Sequence, residues 1–176
     1  MDDNFQKILA KTLIWEGGFV DNPLDPGGRT NKGITQREYD SYRKRKVLPF
    51  NDVKNISDDE VTDIYYTDYY FPTQANLMTD IKVSWKVFDI GVNTGISRSI
   101  KYIQTIIGVV VDGQFGPNSL AVLKKYQQNS NWANTMMSLL VKMQVQHYND
   151  IVTLHPNEVV FLKGWLRRVN DTGLGL

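Results

Sequence analysis

Apolar residues recur every three or four positions at the start of the chain, from Phe5 to Trp15. This spacing predicts an amphipathic helix over residues 4–16, because it places the apolar side chains on one face. Glu16 would be the last residue of this helix, since the glycine pair at 17–18 is typical of a helix end. Its carboxylate would then face the negative end of the helix macrodipole, which is an unfavourable position for an acid.

Helical spacing continues through most of the chain. Thr35 is a suitable N-cap for a helix over 36–46, and the pattern of Ser57 and Glu60 predicts a capping box for a helix that Pro72 ends. Strand signals are few, and the best of them is the run Val109, Val110, Val111. The fold class is therefore mainly α. The remaining predicted helices cover 81–95, 97–107, 119–128, 132–154 and 156–168.

The least ordinary stretch lies between the first two predicted helices. Residues 17–35 contain five glycines and two prolines, and a connection of this length and composition is typical of a functional loop. Asp25 and Thr30 lie in it, nine and fourteen residues after Glu16. The loop thus brings candidate polar groups into the neighbourhood of the helix end.

Composition narrows the classes of function. A chain of 176 residues with 41% hydrophobic residues favours one globule, and a net charge of +1 argues against nucleic acid as a partner. The absence of cysteine excludes disulfides and thiolate metal sites. We expect no metal and no cofactor. The N-terminus lacks a signal-peptide pattern and no apolar run could span a bilayer, so we expect synthesis in the cytoplasm and no membrane insertion.

Glu16 has the features of a general acid. Burial beside Trp15 and the partial negative charge of a helix end both disfavour the ionised carboxylate, so this group could keep its proton near neutrality. It could then protonate a leaving glycosidic oxygen, while Asp25 holds a water or stabilises an oxocarbenium ion. Two simpler interpretations stay open. Glu16 could be a surface carboxylate that ends a helix, and Asp25 could serve only turn formation.

The run EGGFVDNPLDPGGRTNKGIT at 16–35 resembles the N-terminal signature of glycoside hydrolase family 108. This family comprises lysozyme-like N-acetylmuramidases and includes phage endolysins and proteins labelled secretion activators. The likeness continues with YYTDYYF at 65–71, FDIGVNTG at 88–95 and GWLRRVND at 164–171, so it covers essentially the whole chain. It implies a lysozyme-like multi-helix globule with a glycine-rich active-site loop after the first helix.

By motif position, the resemblance implies that Glu16 is the catalytic residue. Asp25 and Thr30 follow it much as in phage-type lysozymes, although the threonine lies one residue nearer than in that arrangement. Phe71 stands where the family usually has tryptophan, which places a sugar-stacking role there in question. A saccharide cleft would be lined by one or two residues of the tyrosine-rich segment. The residues predicted to bind substrate are Tyr65, Tyr69, Asn93 and Gly33.

The second half has a likeness of its own. Residues 102–127 resemble peptidoglycan-binding modules, in which a helix, a DG-x-x-G-P turn and a second helix recur. The alternative is that this turn only connects two helices that pack on the first half. We therefore predict a lysozyme-like catalytic part at 1–95 and a helical, peptidoglycan-binding-like part at 96–176, packed on it as one globule.

The predicted function is cleavage of the β-1,4 bond between N-acetylmuramic acid and N-acetylglucosamine in bacterial peptidoglycan, by a monomer. Access to the wall would follow holin-type or other non-classical release. A lytic transglycosylase uses the same acid without water and remains an alternative. So does a non-catalytic wall-binding or secretion-activator protein.

Overall fold

The described part of the chain is mainly helical, as the sequence predicts. A computed structural model describes residues 3–21 and 28–171, and these contain eight α-helices and one short β-hairpin. The chain divides into two compact units, residues 1–68 and 69–176. The elements are α1 (Asp3–Leu13), β1 (Thr30–Asn31), β2 (Ile34–Thr35), α2 (Gln36–Arg45), α3 (Asp58–Tyr65), α4 (Ile81–Thr94), α5 (Ile96–Ile107), α6 (Pro117–Tyr126), α7 (Trp132–Leu154) and α8 (Val159–Asn170). Short 3₁₀ turns lie at Val53–Asn55, Ala75–Leu77 and Pro156–Glu158, and a π-helical turn lies at Tyr66–Tyr70.

The first helix buries the face that its apolar spacing predicts. Its buried residues are Phe5, Ile8, Leu9 and Thr12. The predicted end of this helix at Glu16 is wrong, because α1 stops at Leu13 and Ile14 is already 75% exposed. The Trp15 N–H donates to the Thr12 carbonyl at 2.9 Å, which closes a turn after the helix. Glu16 therefore lies beyond α1, in the connection that follows it.

A β-hairpin occupies part of the segment that the sequence indicated only as a loop. Strands β1 and β2 pair antiparallel, with Thr30 opposite Thr35 and Asn31 opposite Ile34. Val20 adds an antiparallel bridge to Thr30 through backbone hydrogen bonds of 2.8 and 2.9 Å. The hairpin therefore connects the chain that leaves α1 to the start of α2.

Both predicted capping signals are confirmed. The Thr35 hydroxyl accepts from the Glu38 N–H at the start of α2, and the Glu38 carboxylate accepts from the Thr35 N–H. Ser57 and Glu60 form the same reciprocal pair at the start of α3. Each box satisfies N–H groups that a helix start leaves without an intrahelical acceptor. Helices α2 and α3 thus each begin at a capping box.

Buried tyrosines link α2 to α3. The Tyr39 hydroxyl donates to Glu60 Oε2 at 2.8 Å, and the Tyr42 hydroxyl donates to Asp63 Oδ2 at 2.9 Å. Burial, with help from these carboxylates, raises the pKa of both tyrosine hydroxyls above the usual value of 10.0. Both groups therefore stay protonated and keep donating across the helix pair.

The second unit is built around α4, the helix predicted to be buried. Every residue over 83–91 is buried. Helix α4 packs against α5 and α7, and α7 packs against α8. Gly91 allows a close approach on α4, because a Cβ there would collide with Cγ2 of the buried Thr73. Gly91 of the FDIGVNTG sequence thus has a packing role within this unit.

Three charged side chains meet inside the second unit. Lys86 and Asp89 on α4 have no exposed surface, and the side chain of Arg168 on α8 is 11% exposed. Asp89 Oδ1 accepts from Nε and Nη2 of Arg168 at 2.9 and 2.8 Å. The Lys86 ammonium donates to the Val169 carbonyl at 2.9 Å. These bonds connect α4 to α8, and so join the FDIGVNTG and GWLRRVND sequences.

The valine run at 109–111 does not form a strand, so that prediction is wrong. Val110 is 75% exposed, and no strand in the described residues pairs with it. The loop is held instead by Gln104, which is buried on α5. Its side-chain amide donates to Asp112 Oδ1 at 2.8 Å and accepts from the Gly113 N–H at 2.9 Å. The polar groups of the DG-x-x-G-P turn are thus used to attach the loop to α5.

Helix α7 is the longest described helix, with 23 residues. It buries one stripe of side chains and exposes mostly polar residues elsewhere, together with Leu139 and Leu154. Over the described parts of the chain, no helix combines the length and apolar character needed to cross a membrane.

Candidate active site

Glu16 lies in the turn between α1 and the bridge at Val20, with its side chain half-buried. Gly17 follows with φ +61°, a left-handed conformation that turns the chain directly after the carboxyl group. Because α1 ends three residues earlier, its macrodipole acts on Glu16 less than the sequence suggested, since that effect falls off within the last turn. Glu16 and the adjacent Trp15 are both half-buried.

The Glu16 carboxyl reaches the turn of the β-hairpin. A Cβ on Gly33 would lie 2.7 Å from Glu16 Oε2 and 2.5 Å from the Tyr65 hydroxyl oxygen, which is closer than real Cβ contacts. Gly33 has φ +78° and Lys32 has φ +50°, so both turn residues adopt the positive φ of the tight turns that suit hairpins. Gly33 therefore allows the tight turn. Its lack of a side chain also leaves space for the Tyr65 hydroxyl from α3 and the Glu16 carboxyl from the chain after α1.

Tyr65 contacts this site through its hydroxyl. The ring is buried, with 1% of the residue's surface exposed, and the hydroxyl donates to the Lys32 carbonyl at 2.9 Å. This bond fixes the hairpin turn relative to α3. The structure therefore gives Tyr65 a positioning role, whereas the saccharide contact expected from the sequence stays a prediction.

Asn31 is a site residue that the sequence analysis missed. It is buried, and its side-chain amide donates to the carbonyls of Val53 and Lys54, each at 3.1 Å. These two bonds anchor β1 to the 3₁₀ turn that precedes α3. The sequence offered only a weak signal for this hairpin, namely Gly33 in a short connection, because Lys32 is not a residue typical of such turns.

Of the other two residues predicted to be catalytic, Thr30 lies within the described residues and Asp25 does not. Thr30 lies on β1 opposite Thr35, and its hydroxyl donates to the Gly28 carbonyl at 3.3 Å. Its pairing with Val20 puts it on the ladder that follows Glu16. Asp25 lies outside the described residues.

Tyr69 and Asn93 belong to the second compact unit. The Tyr69 carbonyl accepts from the N–H and the hydroxyl of Thr73, at 2.9 and 2.7 Å. Asn93 is exposed on α4, where its side-chain amide donates to the Asp89 carbonyl at 2.7 Å and to Asp89 Oδ1 at 3.2 Å. Asn93 thus supports the buried aspartate of its own helix, and a substrate contact for either residue stays a prediction.

Cationic groups flank an aromatic ring in the same unit as Glu16. The Arg29 guanidinium and the Lys54 ammonium lie 5.5 and 5.6 Å from the ring centroid of Phe19, within cation–π range. Arg29 also pairs with Asp52 at 2.6 Å. The Asp52 carboxyl accepts a hydrogen bond from the Lys54 N–H and pairs with the Arg29 guanidinium. Both interactions hold its pKa below the usual value. Asp52 thus stays ionised, and its pairing with Arg29 is retained down to acidic pH.

The segment that contains Glu16 and the hairpin matches a known protein family. Residues 9–95 match the family described as Glycosyl hydrolase 108. This segment belongs to glycosyl hydrolase family 108. Glu16, the hairpin and Tyr65 all lie within the family 108 segment. Residues 98–170 match a second family, described as Predicted Peptidoglycan domain.

The chain is also similar to a solved structure whose title reads "Structure of Brucella abortus SagA". The two share 29% sequence identity with a TM-score of 0.77, over 96% of this chain and 90% of that one. None of the curated proteins matches this chain. The likeness extends over both family segments and supports the lysozyme-like fold expected from the sequence.

The two family matches together point to peptidoglycan as the substrate. A family 108 segment followed by a peptidoglycan domain makes the chain a glycosidase-type protein that acts on peptidoglycan. The family boundary lies between residues 95 and 98, whereas the compact units divide after Asp68. The family 108 segment therefore includes α4, which packs with the helices of the second unit.

Proposed function

We propose that this protein is an N-acetylmuramidase that hydrolyses the β-1,4 bond between N-acetylmuramic acid and N-acetylglucosamine, with Glu16 as the general acid. The observation that carries the proposal is the position of the Glu16 carboxyl against Gly33. The half-buried Glu16 carboxyl lies at the hairpin turn, inside the segment that matches a glycoside hydrolase family.

In this mechanism the Glu16 carboxyl gives its proton to the glycosidic oxygen as the C1–O bond breaks. The sugar left behind develops oxocarbenium character, and a water adds its hydroxyl to C1 while its proton goes to a carboxylate. Tyr65 and Asn31 act through the hairpin: they fix the turn against which the Glu16 carboxyl rests. Such positioning matters because reacting groups must be held close to their productive geometry.

Asp25 is our candidate for the second group, either as the base that activates water or as the nucleophile. The spacing from Glu16 supports this assignment, as does the likeness of 16–35 to the family signature. Asp25→Asn should lower the rate strongly while leaving the protein folded. A variant that cleaves walls at the wild-type rate would show that water is activated without Asp25.

The decisive test is Glu16→Gln, which keeps the shape of the side chain and removes the acid. We expect loss of turbidity clearing of purified cell walls by a factor of about 10² to 10⁴, the usual contribution of a general acid. Glu158→Gln, in the second unit, is the matched control and should clear walls normally. Wild-type clearing by Glu16→Gln would refute the proposal.

Product analysis separates hydrolysis from the transglycosylase alternative. A muramidase releases muropeptides with a reducing end, whereas a lytic transglycosylase releases products with an anhydro ring that are lighter by one water. Wall binding by the wild-type protein with no new products would instead favour a non-catalytic binding protein.

A further inference from the structure

A cavity of about 400 Å³ opens in the second unit, between the end of α6 and the first turns of α7. This volume is within the range of small-ligand pockets. Tyr126 and Trp132 bring aromatic rings to its lining, and Val122 adds an aliphatic side chain. Trp132 is 9% exposed and Tyr126 is half-buried, so both rings are held by the fold.

Polar side chains complete the lining of this cavity. Lys125, Asn129 and Thr135 all contribute to it and are all exposed. Lys125 offers an ammonium and Thr135 a hydroxyl. The Asn129 amide nitrogen can donate, while its Oδ1 accepts from the Asn131 N–H at 2.9 Å. Burial raises the pKa of the Tyr126 hydroxyl, so this group also stays a hydrogen-bond donor at neutral pH.

We propose that this cavity binds an N-acetylated amino sugar of the peptidoglycan glycan strand. Pyranose rings present an apolar face that packs on aromatic side chains, while their hydroxyl and acetamido groups require hydrogen-bonding partners at the edge. The cavity supplies both in one place, and it lies within the segment that matches the Predicted Peptidoglycan domain. The inference rests on the proposed peptidoglycan-directed function, and gives the second unit its own glycan site.

The aromatic residues are poor test positions, because truncating a buried tryptophan could unfold the unit. Thr135 is better suited, since it is exposed at the cavity. Thr135→Trp would fill the cavity from its edge without removing a buried side chain. The matched control is Thr153→Trp, an exposed threonine near the other end of the same helix, outside this cavity.

Both substitutions are made in full-length Glu16→Gln protein, so that the walls stay intact during the measurement. Sedimentation with purified peptidoglycan gives the bound fraction, and titration with tetra-N-acetylchitotetraose gives the affinity for a defined glycan. We expect Thr135→Trp to weaken binding by about tenfold or more, which corresponds to the loss of about 1.4 kcal/mol. Thr153→Trp should bind like its parent, and equal binding by the two variants would overturn the proposal.

A second pair of variants keeps the test valid if the added tryptophan perturbs the fold. Lys124 and Lys125 are adjacent exposed lysines at the end of α6, and of the two, Lys125 lines the cavity. Combining Lys125→Ala with Asn129→Ala should weaken wall binding, whereas Lys124→Ala with Asn118→Ala should not. Equal effects of these two pairs would also overturn the assignment.

These measurements separate the site from catalysis. The wild-type protein and its Thr135→Trp variant are also compared on short soluble glycan fragments, for which wall attachment is not needed. If walls are bound through this cavity and never cleaved, the muramidase proposal fails while the binding site stands. If cleavage occurs and Thr135→Trp binds normally, the site fails while the muramidase proposal stands.

Discussion

Gly33 lies against the Glu16 carboxyl so closely that a Cβ at position 33 would collide with it. A Cβ there would be 2.7 Å from Glu16 Oε2. Gly33→Ala therefore has to displace the acid or distort the turn, which already has φ +78° at this residue. We expect activity to fall by about 10²-fold, the size of effect that a misplacement of about 1 Å can cause.

The control for this substitution is Gly108→Ala. Gly108 has φ +74°, and no described atom lies within 4 Å of a Cβ placed there. Both variants should lose about 1–2 kcal/mol of stability from the left-handed conformation, and only Gly33→Ala should lose activity. Wall-clearing rates and urea unfolding of both proteins make the comparison, and normal clearing by Gly33→Ala would remove the structural basis of the site.

Tyr65→Phe tests whether the turn is positioned by a hydroxyl. The substitution leaves the buried ring and removes the bond to the Lys32 carbonyl, at a cost of about 1 kcal/mol. If this loosens the turn beneath Glu16, kcat should fall by up to about tenfold, because 1.36 kcal/mol of lost positioning corresponds to that factor.

Tyr42→Phe is the matched control, since it removes a similar hydroxyl that donates to Asp63 between α2 and α3. We expect a similar loss of stability and unchanged turnover. Steady-state kinetics on soluble glycan fragments report kcat and KM separately. A raised KM with normal kcat in Tyr65→Phe would point to substrate binding instead of positioning.

Local signals explain why most of the helical fold could be predicted. The caps at Thr35 and Ser57 each depend on a glutamate three residues later, so sequence alone contains the information. The end of α1 could not be placed in this way. Trp15 continues the apolar period, but the chain leaves the helix after Leu13, and Ile14 faces solvent.

Long-range pairing explains what the sequence did not reveal. Strand β1 exists because Val20 and Ile34 pair with it, and a run of two residues has no periodicity of its own. The opposite error occurred at Val110, where a β-branched run has no partner strand in the described residues. Glu16 was found from its motif, whereas its contact with Gly33 required the fold.

The ion pair inside the second unit should matter far more than one at the surface. Asp89→Asn removes the buried charge that pairs with Arg168 and lies near Lys86, and we expect a loss of about 3–5 kcal/mol in urea unfolding. Asp68→Asn is the comparison, because its pair with Arg45 is partly exposed and should be worth at most about 1 kcal/mol. Equal losses would mean that Asp89 is not needed to compensate these charges.

Lys86 should make stability depend on pH. Its pKa is lowered from 10.5 to about 8, chiefly by burial, with Arg168 lowering it further while Asp89 and Asp171 act in the opposite direction. Between these two values the unfolded chain binds the proton more tightly than the folded one, so stability rises with pH. The gain should reach about 3 kcal/mol by pH 10.5 and be absent below about pH 8.

The test compares the wild-type protein with Lys86→Met by urea unfolding at intervals from pH 7 to 10. As pH rises, the unfolding free energy of the wild type should increase relative to that of Lys86→Met. Tyr102 and Tyr148, whose pKa values are raised by burial, contribute with the opposite sign above about pH 10. Their contribution is common to both proteins and cancels in the difference, so parallel curves would contradict the prediction.

The two-residue strands of the hairpin also set a limit on how this loop can vary in length. Ile34 is 2% exposed, and it directly follows the glycine against which the acid rests. One extra residue in the turn would reverse the faces of β2, exposing Ile34 and carrying the glycine out of reach of the carboxyl. Insertions should therefore be absent from the Lys32–Gly33 turn in any catalytically active descendant of this sequence. Placing the acid in another protein scaffold would require the hairpin to be included with it.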